Sequence, residues 1–239
     1  MKRVIISILA AAAITAMAVP ARAQDQGFSI NFGYFWPKGE ESRTSGDVLN
    51  ANKCLDVSFV CEPQLFDVGD FGSGTFGAEY IVGLGRFVEV SAGIGYYQKT
   101  VPVIYERFQD IDGSEIDSDF KLRIVPITGI LRVVPTGRRA PIQPYAGIGI
   151  AALRWHYSET GEFIDAQTLE IFRDQFKGDG TEIAPIFLGG VRAPIGDNFL
   201  IGGEVRFTSA EGDLDPTEFQ GDRIDLGGTT FLVNLTWRF

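Results

Sequence analysis

Apolar and polar residues alternate at every second position in eight separate segments, and that period limits the fold more than any other feature of the chain. A two-residue period belongs to strands with one face in an apolar medium and the other in a polar one. The segments are 28–34, 76–84, 88–96, 120–134, 145–155, 183–193, 199–207 and 230–239. Most approach the roughly 9–11 residues with which a tilted strand crosses a bilayer. The fourth is the least regular. Lys121, Arg123 and Arg132 cannot share one face at strict period two, which predicts a bulge near Pro126.

The amino terminus reads differently. Met1-Lys2-Arg3 is positively charged, residues 4–18 are uncharged and mostly apolar, and Ala21-Arg22-Ala23 is a small-x-small site. This pattern predicts a cleaved secretory signal peptide over 1–23 and a single mature domain over 24–239. No later stretch approaches the ~18 apolar residues of a membrane helix. The mature chain is expected to be exported, and either soluble or inserted as a barrel.

Short connections at 85–86, 135–140 and 194–198 alternate with long ones at 38–70, 98–119, 156–182 and 208–226. All long loops therefore emerge at one end. An outer-membrane barrel has that arrangement, with tight periplasmic turns and long outer loops. The long loops hold 26 acids against 8 bases, in a chain whose net charge is −10. An acidic balance excludes a nucleic-acid partner, which needs a surplus of Lys and Arg. The single histidine, His156, excludes a multi-histidine metal site, and the two cysteines exclude a zinc ribbon. No cofactor is expected.

The two faces of the strands differ in kind. One carries Phe28, Ile30, Phe32, Val88, Val90, Ile94, Val205, Val233 and Leu235; the other carries Asn31, Glu79, Glu89, Ser91, Glu204, Arg206, Asn234, Thr236 and Arg238. In a meander, one rim gathers Phe28, Phe87, Tyr145, Phe199, Trp237 and Phe239. The other gathers Tyr34, Trp36, Phe76, Tyr96, Phe120, Trp155, Phe207 and Phe231. Two aromatic girdles around an aliphatic band suit the two bilayer interfaces. The expected fold is an all-β, eight-stranded antiparallel up-and-down transmembrane β-barrel with four long extracellular loops and both termini periplasmic.

The last strand, Phe231-x-Val233-x-Leu235-x-Trp237-x-Phe239, resembles the C-terminal insertion signature of bacterial outer-membrane barrels. With Tyr145-Ala146-Gly147-Ile148-Gly149 and Gly203-Glu204-Val205-Arg206-Phe207, it is similar to the "porin family" small barrels of OmpA, OmpX and OmpW type. That resemblance implies a Gram-negative outer membrane, contact with lipid and lipopolysaccharide, and assembly by the barrel-assembly machinery through the strand ending at Phe239. The barrel is expected to be the last domain, without the peptidoglycan-binding domain of full-length OmpA-type proteins. The implied role is structural, adhesive or envelope-protecting, exerted through the acidic loops. A narrow OmpW-like solute pore is the alternative.

An eight-stranded interior is filled by side chains. The inward candidates are Glu79, Glu89, Glu204, Arg206 and Arg238, with some of Lys121, Arg123, Arg132, Arg154 and Arg192. Buried charges must pair, so a salt-bridged plug is expected, with an anion-preferring pore as the alternative. Cys54 and Cys61 share the first long loop and can staple it with a disulfide. Asp110-x-Asp112-Gly113-x-Glu115-x-Asp117-x-Asp119 is a solvated acidic loop or a weak site for a hard cation. Residues 163–172 allow one or two amphipathic helical turns. His156-Tyr157-Ser158 resembles the His-x-Ser pair of lipid A 3-O-deacylases, with Glu170 as the orienting acid. Glu159 follows the pair where that family has Asn, so this hydrolase reading stands as a further alternative to a non-enzymatic protein.

Overall fold

The computed structural model describes residues 26–239 except 54, 58, 59, 63, 111, 166 and 167, and only the backbone of 55–57 and 60–62. The leader over 1–23 and the staple through Cys54 and Cys61 lie outside the described residues. Eight principal strands form one sheet. They are β1 (Gln26–Pro37), β2 (Ser73–Leu84), β3 (Val88–Gln109), β4 (Glu115–Val133), β5 (Gln143–Ile164), β6 (Ile171–Ile195), β7 (Phe199–Thr208) and β8 (Gly228–Arg238). Each pairs antiparallel with its sequence neighbour, and β1 closes on β8 in the register Phe28↔Trp237 to Tyr34↔Phe231. The sheet is an up-and-down barrel with no free edge between its first and last strands.

Alternation sorts the wall as the sequence predicts. Phe28, Ile30 and Phe32 on β1, Ile94 on β3, Ile127 on β4, Ile148 and Ile150 on β5, Ile183 and Phe187 on β6, and Val233 and Leu235 on β8 all lie on the outer surface. Ile183 is 67% exposed and Phe32 60%, a belt too large and too continuous for a monomer in water. At about 25 cal/mol per Å² of apolar area, only hydrocarbon around the barrel makes this surface favourable. The girdle residues Phe28, Phe87, Phe199, Trp237 and Phe239 at one rim, and Tyr34, Trp36, Phe76, Phe207 and Phe231 at the other, face outward. Tyr145, Phe120 and Trp155 do not: all three point inward and are buried.

The strands are longer and more unequal than the sequence suggests. β3, β4, β5 and β6 have 22, 19, 22 and 25 residues, against 12, 12, 10 and 11 for β1, β2, β7 and β8. At ~3.3 Å per residue, β6 runs about 80 Å, far beyond a bilayer. Residues 98–119 and 156–182 are therefore mostly two tall β-hairpins rather than irregular loops, and the ends of 163–172 are paired strand, Phe163↔Phe172 and Ile164↔Ile171. The expected bulge near Pro126 is absent. Gly93↔Thr128, Ile94↔Ile127 and Tyr97↔Ile124 keep one register, and the irregularity falls between Ile104 and Gln109. Period two holds throughout β4 because Lys121 and Arg123 sit on the outer face while Arg132 faces the lumen.

The four tall strands form a curved ribbon whose inner face is apolar. Val101, Val103, Phe120, Leu122, Leu153, Trp155 and Tyr157 line it. The first long loop covers it with Val48, Leu49, Val68 and Phe71, and the last with Leu214, Phe219, Ile224 and Leu226. One buried pair joins these covers: Arg43 Nε and Nη2 donate to Asp47 at 2.6 and 2.9 Å, and Arg43 Nη2 also reaches the Asp225 carbonyl at 2.9 Å. Asp47 caps the short helix α1 (Val48–Asn52), accepting from Leu49 and Asn50, and accepts the Asp225 amide at 2.7 Å. The interior is thus polar within the membrane zone and apolar in the ribbon.

Candidate functional site

The lumen near the short-turn end holds two joined charge networks. In the first, Arg132 lies between two carboxylates, with Nη2 at 3.1 Å from Glu79 and 3.0 Å from Glu204, while Nη1 donates to Ser91 at 2.8 Å. Arg206 closes the ring by bonding Glu204 and, at 2.9 Å, Glu79. In the second, Glu89 accepts from Arg138 at 2.9 Å and from Arg192. Gln143 Oε1 then accepts from Arg192 at 3.0 Å and Arg238 at 3.1 Å. The Tyr145 ring lies between the networks, its centroid 5.7 Å from the Arg132 guanidinium and 5.4 Å from that of Arg192.

These residues meet because inward positions recur every second residue on neighbouring strands, so side chains from β2, β3, β4, β6, β7 and β8 converge on one axis. Glu79, Glu89, Glu204, Arg206 and Arg238 are all brought into this lumen, as are Arg132 and Arg192. Lys121, Arg123 and Arg154 are not; they project outward above the aliphatic belt. Sequence reasoning missed Arg138, which belongs to the turn between β4 and β5 and folds back over Glu89. Its only signal was the paired Arg138-Arg139 in a short turn. Sequence reasoning also set Tyr145 in the outer girdle; its odd-numbered parity, opposite that of the exposed Ile148 and Ile150, was the signal that it faces inward.

Five arginines face three glutamates here, so the turn end of the lumen is cationic but filled. Above it a cavity of about 90 Å³ separates the ionic network from the apolar ribbon core. Asn31, Thr128 and Arg206 line its polar side, and Phe35, Tyr97 and Leu153 its apolar side. Gly77 and Gly95, paired across β2 and β3, also line it.

His156 and Ser158 share the outward parity of β5, His156 half-buried and Ser158 buried, but Glu170 does not join them. Ser158 pairs with Lys177, and the register continues six further residues to Ile164↔Ile171 before the tip that carries Glu170. At ~3.3 Å per residue the carboxylate is about 20 Å away, well outside hydrogen-bond reach. Partial burial, then Arg123, lowers the His156 pKa, against which Asp179 acts weakly. Glu159 faces inward instead, accepting from Asn52 at 2.7 Å and Tyr157 at 2.9 Å, and burial without a cationic partner raises its pKa to about 7. The acidic run 110–119 lies on the β3–β4 tip with Glu115, Asp117 and Asp119 exposed. Among the described residues no group of three or more His, Cys, Asp or Glu side chains converges as a metal site.

A closed eight-stranded ring with a lipid-facing belt and an ionic lumen defines an integral outer-membrane β-barrel. The chain matches the family "Outer membrane protein beta-barrel domain" over residues 7–239 and belongs to it. Solved barrels align along nearly their whole length. Ail of Yersinia pestis, crystallised with the heparin analogue sucrose octasulfate, is 14% identical with a TM-score of 0.44, covering 90% of this chain and 99% of that one. Neisserial surface protein A is 9% identical with a TM-score of 0.46, covering 90% and 97%. The N-terminal barrel of Pseudomonas aeruginosa OprF is 10% identical with a TM-score of 0.42, covering 90% and 98%. No curated protein matches the chain.

Proposed function

We propose that the protein is a closed, non-enzymatic surface barrel with a structural, adhesive or envelope-protecting role carried by its acidic surface loops. In this reading the leader over 1–23 is removed, both termini are periplasmic, and the hairpin tips face the exterior. The strand ending at Phe239 engages the barrel-assembly machinery. The observation that carries the closed state is the doubly filled lumen: Glu79, Glu89 and Glu204 are locked to arginines at one end, and loop residues pack onto Trp155 and Phe120 at the other. A solute pore needs a continuous wet bore through both layers, and an apolar plug of this kind opposes it.

Single-channel recording of the refolded mature protein tests this. The expected record is silent across physiological voltages; reproducible conductance steps overturn the closed reading in favour of the narrow pore. The role of the acidic tips is tested by protease sensitivity of the hairpins with and without chelator. If divalent cations bridge the tips to lipopolysaccharide phosphates, chelation accelerates cleavage, and an unchanged rate removes that bridge.

A further inference from the structure

The outer surface of the ribbon changes character abruptly just above the aliphatic belt. The last apolar row is Ile127 on β4, Ala152 on β5 and Ile183 on β6, adjacent in register. The next outward row is Val125, Arg154 and Thr181, the one above it Arg123, His156 and Asp179, and the one above that Lys121, Ser158 and Lys177. Arg123, Arg154 and Lys177 are exposed and Lys121 is half-buried. Among the described residues none of these four cations makes an ion pair with a carboxylate. One more row up, the surface turns acidic with Asp119.

Four cations with Asp179 as the one carboxylate in their rows thus occupy a strip three strands wide, in a chain whose net charge is −10. Rows on one face are about 7 Å apart and strands about 4.8 Å apart, so the whole strip spans roughly 10 by 15 Å. Arg123, Lys177 and Lys121 are close enough to depress the His156 pKa together. Such mutual repulsion on an exposed surface is relieved by an anion. The belt below fixes what kind: Ile127, Ile183 and Phe187 continue the strip downward as a hydrocarbon-contacting surface. An occupant that satisfies both halves has phosphates at the level of the cations and acyl chains along the belt.

We propose that Lys121, Arg123, Arg154 and Lys177 form a binding collar for the phosphate groups of an outer-leaflet glycolipid whose acyl chains lie on the belt beneath. This rests on the outward orientation of the ribbon given above. The collar contacts phosphate directly and needs no divalent cation, unlike the acidic tips. Its position on one side of the barrel makes the bound lipid a fixed neighbour of β4–β6.

The test uses the mature protein refolded in phosphatidylcholine nanodiscs and titrated with diphosphoryl lipid A, with bound lipid counted by native mass spectrometry. The combined variant Lys121→Gln/Arg123→Gln/Arg154→Gln/Lys177→Gln is expected to bind at least about tenfold more weakly, because each basic residue near an anionic lipid surface contributes to its attraction. Arg86→Gln/Arg139→Gln, at the opposite rim, is expected to bind as the parent does. The gel-mobility shift of the folded barrel checks that each variant is folded. Equal binding by the collar variant, or equal binding of dephosphorylated lipid A, overturns the proposal. Displacement by inorganic phosphate or by phosphatidylglycerol at comparable concentration overturns the glycolipid assignment. Labelling of Asp112→Cys in intact cells separates the two readings: an unlabelled tip refutes the orientation, whereas a labelled tip without lipid A binding refutes the collar alone.

Discussion

Replacing Arg132 by Met removes the centre of the lumen network at nearly constant side-chain volume. Arg132 is 2% exposed and Glu79 and Glu204 are 3% exposed, so both carboxylates lose their main partner without gaining water. Arg206 still reaches both acids, but one guanidinium then serves two negative charges. Breaking a buried pair by removing one partner costs about 3–5 kcal/mol, and the lost stacking on Tyr145 adds to this. Urea unfolding in phosphatidylcholine vesicles, followed by tryptophan fluorescence and gel mobility, measures the change. The cost is expected to fall by at least ~1 kcal/mol when Glu204→Gln is added, since the pair is directly coupled. A single variant within ~1 kcal/mol of the parent, or strict additivity in the double variant, refutes the view that the lumen is held shut by this network.

Other expectations follow from the ribbon. Glu159 has its pKa raised to about 7 from 4.5, so its ionised form is the costly one in the fold. Its penalty is absent below pH 4.5, grows between 4.5 and 7, and reaches about 3 kcal/mol above that. Proteolysis of 38–53 should therefore slow as pH falls from 8 to 5, and Glu159→Gln should abolish that dependence. A Cβ at Gly212 would sit 2.5 Å from Trp155 Cε2, so Gly212→Val should displace the last loop and shift Trp155 emission. His156→Asn should leave lipid A acylation unchanged, as mass spectrometry of extracted lipid A reports; a lost deacylase activity would restore the hydrolase alternative.

The membrane wall was legible because lipid and lumen impose opposite chemistry on successive residues, so Phe28 to Phe32 and Phe231 to Phe239 announce their faces. The ribbon was harder. Residues 116–124 alternate as cleanly, with Ile116, Phe120, Leu122 and Ile124 inward, but above the bilayer it is the inner face that is apolar. Reading every apolar residue as lipid-facing therefore placed Phe120 and Trp155 on the wrong side. Residues 171–182 carry no alternation, because Gly178 and Gly180 replace inward side chains, the first to make room for Leu214 and the second for the Trp155 ring. A Cβ at Gly180 would lie 2.9 Å from Trp155 Nε1, a constraint that exists only once β5 and β6 are paired. The lumen acids were legible by parity; Arg138 was not, since turn residues have no parity.

The three tryptophans offer the most direct test of which way the chain faces. Trp36 is 58% exposed at one rim of the belt and Trp237 47% exposed at the other, whereas Trp155 is 2% exposed inside the ribbon. Single-tryptophan variants in vesicles of brominated phosphatidylcholine should show strong acyl-chain quenching of Trp36 and Trp237 and almost none of Trp155. Equal quenching of all three, or a quenched Trp155 with the rim residues protected, would contradict the account.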